Sequence, residues 1–460
     1  MFAHSTATQA RPSSCPCPLP CECAFPTLLR TRIRSALRAE PLLRNGHVLT
    51  LSSVTAAALG AVFWVLSTRW YSADVVGRSY TALAAVSLLS GIGQLNLGDV
   101  LVRFVPVAGR RTGRVVLRCY LVSAAFSAVA AAAFLLAQPL LAPGLAFLRE
   151  PVVALAFIAA TAGYTLFVLQ DGALTGLRRP NWVLGENALF AVAKAVLLAA
   201  FVALGSGILV SWTVALVLSL AVTNGYLFRR AIPDHQRAAA PTGRPAAGLA
   251  RYTAADYVGS LFRMVAYSVM PLLVLNRYGA AQSAYFSLAW VIAYTFFLAA
   301  MNMGSSLIVE AAHAPELLAV HARKVLRHAG LMLTAGVAVT LVAAPWLLSL
   351  FGPGYAHYGT APLRLLVLAA LPNLVVGIAI DVARARRQLG RMMGLQIVLY
   401  TLVVAVILWL LPSMGLTGIG LGWLLAESVL AVPLLLTMPR WLPVPGRRPV
   451  RRLFGARHAA

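Results

Sequence analysis

Apolar stretches of about twenty residues, the length a helix needs to cross a lipid bilayer, recur twelve times along this 460-residue chain. They run approximately 48–68, 78–98, 115–137, 151–170, 182–203, 207–228, 252–275, 282–304, 329–350, 361–383, 392–411 and 415–439. Only 11% of the residues are charged, about half of what a soluble domain carries, and the mean hydropathy is +0.81. A water-soluble fold is excluded. The pattern predicts an all-α polytopic membrane protein with twelve transmembrane helices.

The formal net charge of +25 would suggest a nucleic-acid partner in a soluble protein. Here the arginines fall between apolar stretches, where positive charge marks cytoplasmic loops, so no nucleic acid is expected. With the N-terminus inside, 31 of the 38 basic residues fall on the cytoplasmic side and five outside, with Lys194 and Arg263 left within spans. Both termini are therefore expected in the cytoplasm. The longest polar connection between spans, residues 229–251, is a basic linker containing Pro and Gly, and it divides the spans six and six. The expected organisation is a basic tail (1–47), a six-helix lobe (48–228), the cytoplasmic linker (229–251), a second six-helix lobe (252–440) and a second basic tail (441–460). QDGALTGLRRPNW after the fourth span and AIDVARARRQLGR after the tenth each place an arginine pair after an acidic residue, a weak internal repeat of the kind transporters carry.

Cys15, Cys17, Cys21 and Cys23 lie among prolines in the N-terminal tail. Their spacing can hold a soft metal, but Pro-rich sequence with few large apolar residues packs no core and reads as disordered. No metal is expected. The apolar run from Val48 is too long for the core of a cleaved signal, and no A-x-A site follows it.

Charges inside the spans mark candidate sites, because an ionisable group at mid-membrane is costly and faces a partner or a wet cavity. Arg263 lies near the middle of the seventh span, seven residues after Asp256 and about 10 Å along the same face, too far for a direct pair. A water-filled cavity is its expected environment. Lys194 sits twelve residues into the fifth span, sharing a face approximately with Glu186 and Asn187, and either faces a cavity or pairs within its lobe. Gln94 and Asn96 belong to a glycine-rich second span, and Asn302 lies on the eighth. The chain has no GxxxxGK[ST] loop and no H-E-x-x-H, and its outside loops are short, the longest being 138–150 and 351–360. No enzyme, catalytic residue or cofactor is expected.

GQLNLGDVLVRFVPVAGRR, the DGALTGLRRPNW turn, ADYVGSLFRMVAYSVMPLLVLNRYG and LFGPGYAHYGTAPLRLLVLAALP together resemble the polysaccharide flippases. Their superfamily also holds the multidrug-and-toxin exporters. The resemblance runs from about residue 48 to 440. It implies two six-helix lobes around a central cavity lined by the first, second, seventh and eighth helices and opening alternately to each side. It also implies a cargo of polyprenyl-pyrophosphate-linked oligosaccharide, with Arg263 placed to meet the pyrophosphate. Asp256, Gln94, Asn96 and Asn302 fall on helices expected to face the cavity, and Lys194 lies on a helix outside the principal lining.

The expected function is an alternating-access flippase in the plasma membrane, serving cell-surface polysaccharide synthesis. Its expected partners are the lipid-linked glycan, membrane lipids and glycosyltransferases or a polymerase of the same pathway. The alternatives are a cation-coupled exporter of small drugs, which calls for acidic residues deep in the cavity, and a membrane scaffold that transports nothing.

Overall fold

The structure, a computed structural model, describes residues 60–238, 249–313 and 315–442. The cysteine-containing tail, the first span as far as residue 59, linker residues 239–248 and the basic segment from 443 lie outside the described residues. No strand occurs among those described. The first lobe contains α1 (60–70), α2 (Ala73–Gln94), α3 (Leu97–Phe104), α4 (Thr112–Leu141), α5 (Pro151–Gly176), α6 (Pro180–Ala200), α7 (Gly207–Tyr226) and the short α8 (Ile232–Ala238). The second contains α9 (Leu249–Tyr278), α10 (Ala280–His313), α11 (Leu318–Ser349), α12 (Pro353–Ala385), α13 (Leu389–Leu436) and a final turn, α14 (Met438–Trp441).

Ten of the described helices are long and apolar enough to cross a membrane. Helix α1 falls on the first expected span, whose earlier residues lie outside those described. Helix α13 has 48 residues and is broken at Gly415 (φ 57°, ψ −139°), so it supplies the last two. The protein is a multi-pass, all-α membrane protein of twelve transmembrane helices in two lobes around a central cavity.

Several expected boundaries shift, α10 running on to His313 and α11 starting at Leu318, and two of the changes alter the reading of the chain. Residues 353–360, read from sequence as part of an outside loop, are helical. Gly352 (φ 132°) turns the chain and Pro353 opens α12, at the helix position where a missing N–H costs nothing. The second span is also interrupted: Leu95 (φ 50°) and Asn96 (φ 55°) are both left-handed and separate α2 from α3. Such backbone is uncommon outside glycine, with asparagine among the residues that tolerate it. Below the break, α3 is drawn against α5, where a Cβ on Gly172 would fall 2.6 Å from the Gly98 carbonyl oxygen.

The internal repeat is built into the backbone. Arg178 (φ 58°) and Arg387 (φ 55°) both adopt the left-handed conformation at a helix C-terminus. In the first turn the Arg179 N–H donates to the Leu174 carbonyl (2.9 Å); in the second, the Gln388 N–H donates to the Ala383 carbonyl (2.8 Å). These are matching Schellman-type closures, one per lobe and 209 positions apart, ending α5 and α12.

Hydroxyls and small residues hold the helices together, as expected where lipid offers no hydrophobic drive for association. In the first lobe Thr165 Oγ1 lies 2.6 Å from Ser127 Oγ and 3.0 Å from Ser90 Oγ, tying α5 to α4 and α2. In the second, α12 is the most enclosed membrane helix, packed against α10, α11 and α13.

The lobes meet mainly through α2 against α9 and α10. Thr81 Oγ1 and Ser283 Oγ are 2.9 Å apart and buried. A Cβ on Gly77 would fall far inside van der Waals contact with the Ala280 carbonyl oxygen, so only glycine permits this approach. Nearby, Arg69 donates to the Leu350 carbonyl (2.9 Å) and Asn276 to the Leu141 carbonyl (2.6 Å). This seam closes the molecule at the face opposite the basic turns. Gly77→Leu is expected to part α2 from α10. A Ser283→Cys reporter should then react with a membrane-impermeant maleimide as readily as an exposed control cysteine, whereas the same reporter beside native Gly77 stays unlabelled.

Candidate functional site: a cationic cavity between the lobes

A cavity of about 840 Å³ lies between the lobes. Its lining comes chiefly from α1, α2, α9 and α10, with additions from α5, α6 and α7. Aromatic side chains dominate, Trp64, Tyr80, Tyr164, Trp212, Tyr267, Trp290 and Tyr294 among them. Tyr267 anchors the second-lobe wall, its ring centroid 5.4 Å from Trp290, 5.6 Å from Tyr294 and 5.8 Å from Tyr400. Aromatic pairs in this range prefer edge-to-face contact, and all three are T-shaped. The wall is therefore rigid, apolar and edged with phenol hydroxyls.

Four of the sequence-derived candidates line this cavity: Gln94, Asn96, Lys194 and Arg263. The break at Leu95–Asn96 explains the first two, since it turns residues on either side of it inward. Arg263, on α9, makes no hydrogen bond and no ion pair among the described residues, and it borders a second, smaller polar pocket of about 70 Å³ as well. Lys194 Nζ lies 5.1 Å from the Phe63 ring centroid and 5.0 Å from that of Phe190, close enough for cation–π attraction. No Asp or Glu is among the residues lining the cavity.

Asp256 and Asn302 are placed differently from the expectation. Neither lines the cavity. Asp256 is buried, and Arg384 from α12 reaches it at 2.9 Å while also holding Asp381 at 3.0 Å. One guanidinium thus clamps two carboxylates, a geometry its fork of donors suits. Asn302, half-buried on α10, follows the cavity-lining Met301 but does not itself line the cavity. Nor do Glu186 and Asn187 share Lys194's environment: Asn187 Nδ2 donates to the Val183 carbonyl (2.9 Å) and faces Asp171 (3.5 Å), inside the first lobe.

Sequence reasoning missed the Arg384 clamp. The i, i+3 spacing of Asp381 and Arg384 was visible, but Asp256 lies 128 positions away and nothing local announces that contact. The polar pocket beside it, lined by Arg263, Asn373, Asp381, Arg384, Gln396 and Tyr400, was equally hidden. Asn373 also donates to Glu427 Oε1 at 2.7 Å in the buried core behind it.

Solved structures with this architecture match over most of the chain. An outward-facing multidrug-resistance MATE family transporter of the MOP superfamily superposes with a TM-score of 0.63 at 15% identity, covering 88% of this chain and 97% of that one. The chain has the fold of the MOP superfamily transporters. An inward-facing MATE family transporter gives a TM-score of 0.61 at 14% identity, covering 85% of this chain and 98% of that one. A MOP superfamily transporter from Pyrococcus furiosus, described as having a binding pocket of reverse polarity, gives 0.59 at 13% identity, covering 88% and 97%. No protein-family model and no curated sequence matches the chain. Its structural neighbours are membrane transporters, not enzymes.

The clamp makes a stability prediction. Removing one partner from a buried ion pair costs about 3–5 kcal/mol because the remaining charge is left unanswered. Arg384→Ala should therefore lower the thermal stability of the detergent-solubilised protein markedly. Combining Arg384→Met with Asp256→Asn and Asp381→Asn should recover most of the loss, because no charge is then stranded; calorimetry or a thermal-shift assay of the two variants checks both parts.

Proposed function

We propose that the protein is an alternating-access flippase that exports a polyprenyl-(pyro)phosphate-linked oligosaccharide for cell-surface polysaccharide synthesis. The observation that carries this reading is the charge of the cavity: two cations and no carboxylate on walls that are otherwise aromatic and hydroxylated. Arg263 supplies an unpaired positive charge in a low-dielectric setting. A phosphate 4 Å from it gains about 4 kcal/mol per unit charge at an effective dielectric of 20, enough to hold an anionic head group and still release it. Flat aromatic faces and phenol hydroxyls suit sugar rings, while the lipid tail remains in the bilayer.

In this reading the protein sits in the plasma membrane with both termini cytoplasmic, and glycosyltransferases or a polymerase of the pathway act before and after it. The fold occurs in inward- and outward-facing forms, which supports an alternating mechanism. Gln94 and Asn96 add hydrogen-bonding groups beside Arg263, whereas Asp256 acts within the second lobe, holding Arg384.

A second reading, export of small drugs, is favoured by the fold shared with multidrug-resistance transporters. For cationic drugs the cavity has the wrong sign, and the second-lobe acids Asp256 and Asp381 lie outside its lining, both held by Arg384.

In a strain deleted for its own flippase, the intact protein should restore export of lipid-linked glycan, and Arg263→Ala at matched membrane levels should abolish it. Export retained by the variant would remove Arg263 from the mechanism. Failure of the intact protein, with drug efflux in its place, would favour the second reading.

A further inference from the structure

The exporter reading uses one cation; the cavity holds two, and they stand on opposite lobes. Arg263 belongs to α9 in the second lobe and Lys194 to α6 in the first. Their depths differ as well. Both helices run outward to the face opposite the basic turns, α9 ending at Tyr278 and α6 at Ala200. Tyr71 OH donates to the Phe201 carbonyl and Asn276 Nδ2 to the Leu141 carbonyl, which sets both ends at that face. Counted back from those ends, Arg263 lies roughly 22 Å deep and Lys194 roughly 9 Å at 1.5 Å per residue. One pyrophosphate, whose phosphorus atoms share a bridging oxygen, does not reach both.

Lys194 has the marks of a group held ready for a ligand. It has no ion-pair partner among the described residues, although its lobe contains one buried and one half-buried acid. Asp171 faces Asn187, and Glu186, 1% exposed, has neither carboxylate oxygen bonded. A purely structural lysine would be expected to meet one of them. Instead its ammonium lies between Phe63 and Phe190. Two cation–π contacts return about 0.5–2 kcal/mol each, against the cost of desolvating an ammonium within a membrane span. The rings orient the charge without neutralising it.

We propose that the exported glycan carries an anionic substituent of its own, a carboxylate or a phosphate on a sugar, which Lys194 reads from the first lobe while Arg263 holds the lipid (pyro)phosphate from the second. This deepens, and rests on, the exporter reading. The lipid phosphate binds nearer the basic face, the glycan extends toward the closed seam, and its charged sugar reaches Lys194. A neutral glycan would leave that ammonium desolvated and unanswered. The lysine therefore selects for acidic cargo.

The test uses the full chain in lipid nanodiscs and follows tryptophan fluorescence, since Trp64, Trp212 and Trp290 line the cavity. Three short-chain prenyl pyrophosphates are titrated, carrying a neutral disaccharide, the same disaccharide with a uronic acid, or the same disaccharide with a sugar phosphate. The intact protein should bind at least one acidic probe about tenfold more tightly than the neutral one, the equivalent of 1.4 kcal/mol. Whichever acidic probe is preferred identifies the substituent. Lys194→Met should collapse that ratio toward one and Lys194→Arg should keep it, while Arg263→Gln should weaken all three probes together. Should Lys194→Met fail to fold, Lys194→Gln replaces it. Equal affinities of the intact protein for acidic and neutral probes would overturn the inference, as would a preference that survives loss of the lysine charge. No binding of any probe would instead overturn the exporter reading on which it rests.

Discussion

A guanidinium inside a membrane must be answered by negative charge, and the second lobe answers its two arginines differently. Arg384 is answered within the chain, by Asp256 and Asp381 on two helices. Arg263 borders the same polar pocket and makes no ion pair among the described residues. The clamp holds Asp256 and Asp381 away from the main cavity, so that no carboxylate lines it. The sign of the cavity follows from that division. Breaking a buried pair strands a charge; leaving one arginine out of the pair makes a site.

Around this charge arrangement the two lobes are held by close approach instead of by hydrophobic drive. Gly77 against Ala280 and the Thr81–Ser283 hydroxyl pair make a narrow seam of small groups. Such a seam can part and reform as a unit, because it buries little that lipid would not cover equally well. Within each lobe the packing is far more extensive, with α12 enclosed by three neighbours and a ladder of hydroxyls joining α2, α4 and α5. Rigid lobes joined by a light seam have the mechanical form that a rocking transporter requires.

Much of this was legible in the sequence. Hydrophobic length gave the crossings, and the arginine pairs after α5 and α12 marked a repeat whose backbone is the same in both lobes. Arg263 and Lys194 stood out because charge at mid-membrane is rare. Contacts made across the fold were not legible. Nothing near Asp256 points to Arg384, and nothing near Lys194 points to Phe63, because in a helical bundle such partners are set by packing and not by sequence distance. The helix starting at Pro353 was hidden for a different reason: glycine, tyrosine and histidine in that stretch lower its hydropathy without preventing a helix.

The interruption at Leu95–Asn96 bears on the water content of the cavity. Two successive left-handed residues release backbone amides and carbonyls from the helical ladder at the edge of the membrane interior. One is taken up by Ser123, whose hydroxyl approaches the Gln94 carbonyl at 3.4 Å. Gln94 and Asn96 themselves border the cavity. Irregular backbone at membrane depth is tolerated only where protein or water satisfies it, so this stretch acts as a hydrophilic sill. An anion crossing it can exchange its hydration shell a few molecules at a time instead of shedding the whole shell before reaching Arg263. In the proposed export, the cost of bringing a phosphate into the membrane would thereby be divided into small steps by a bent helix, with no residue dedicated to the purpose.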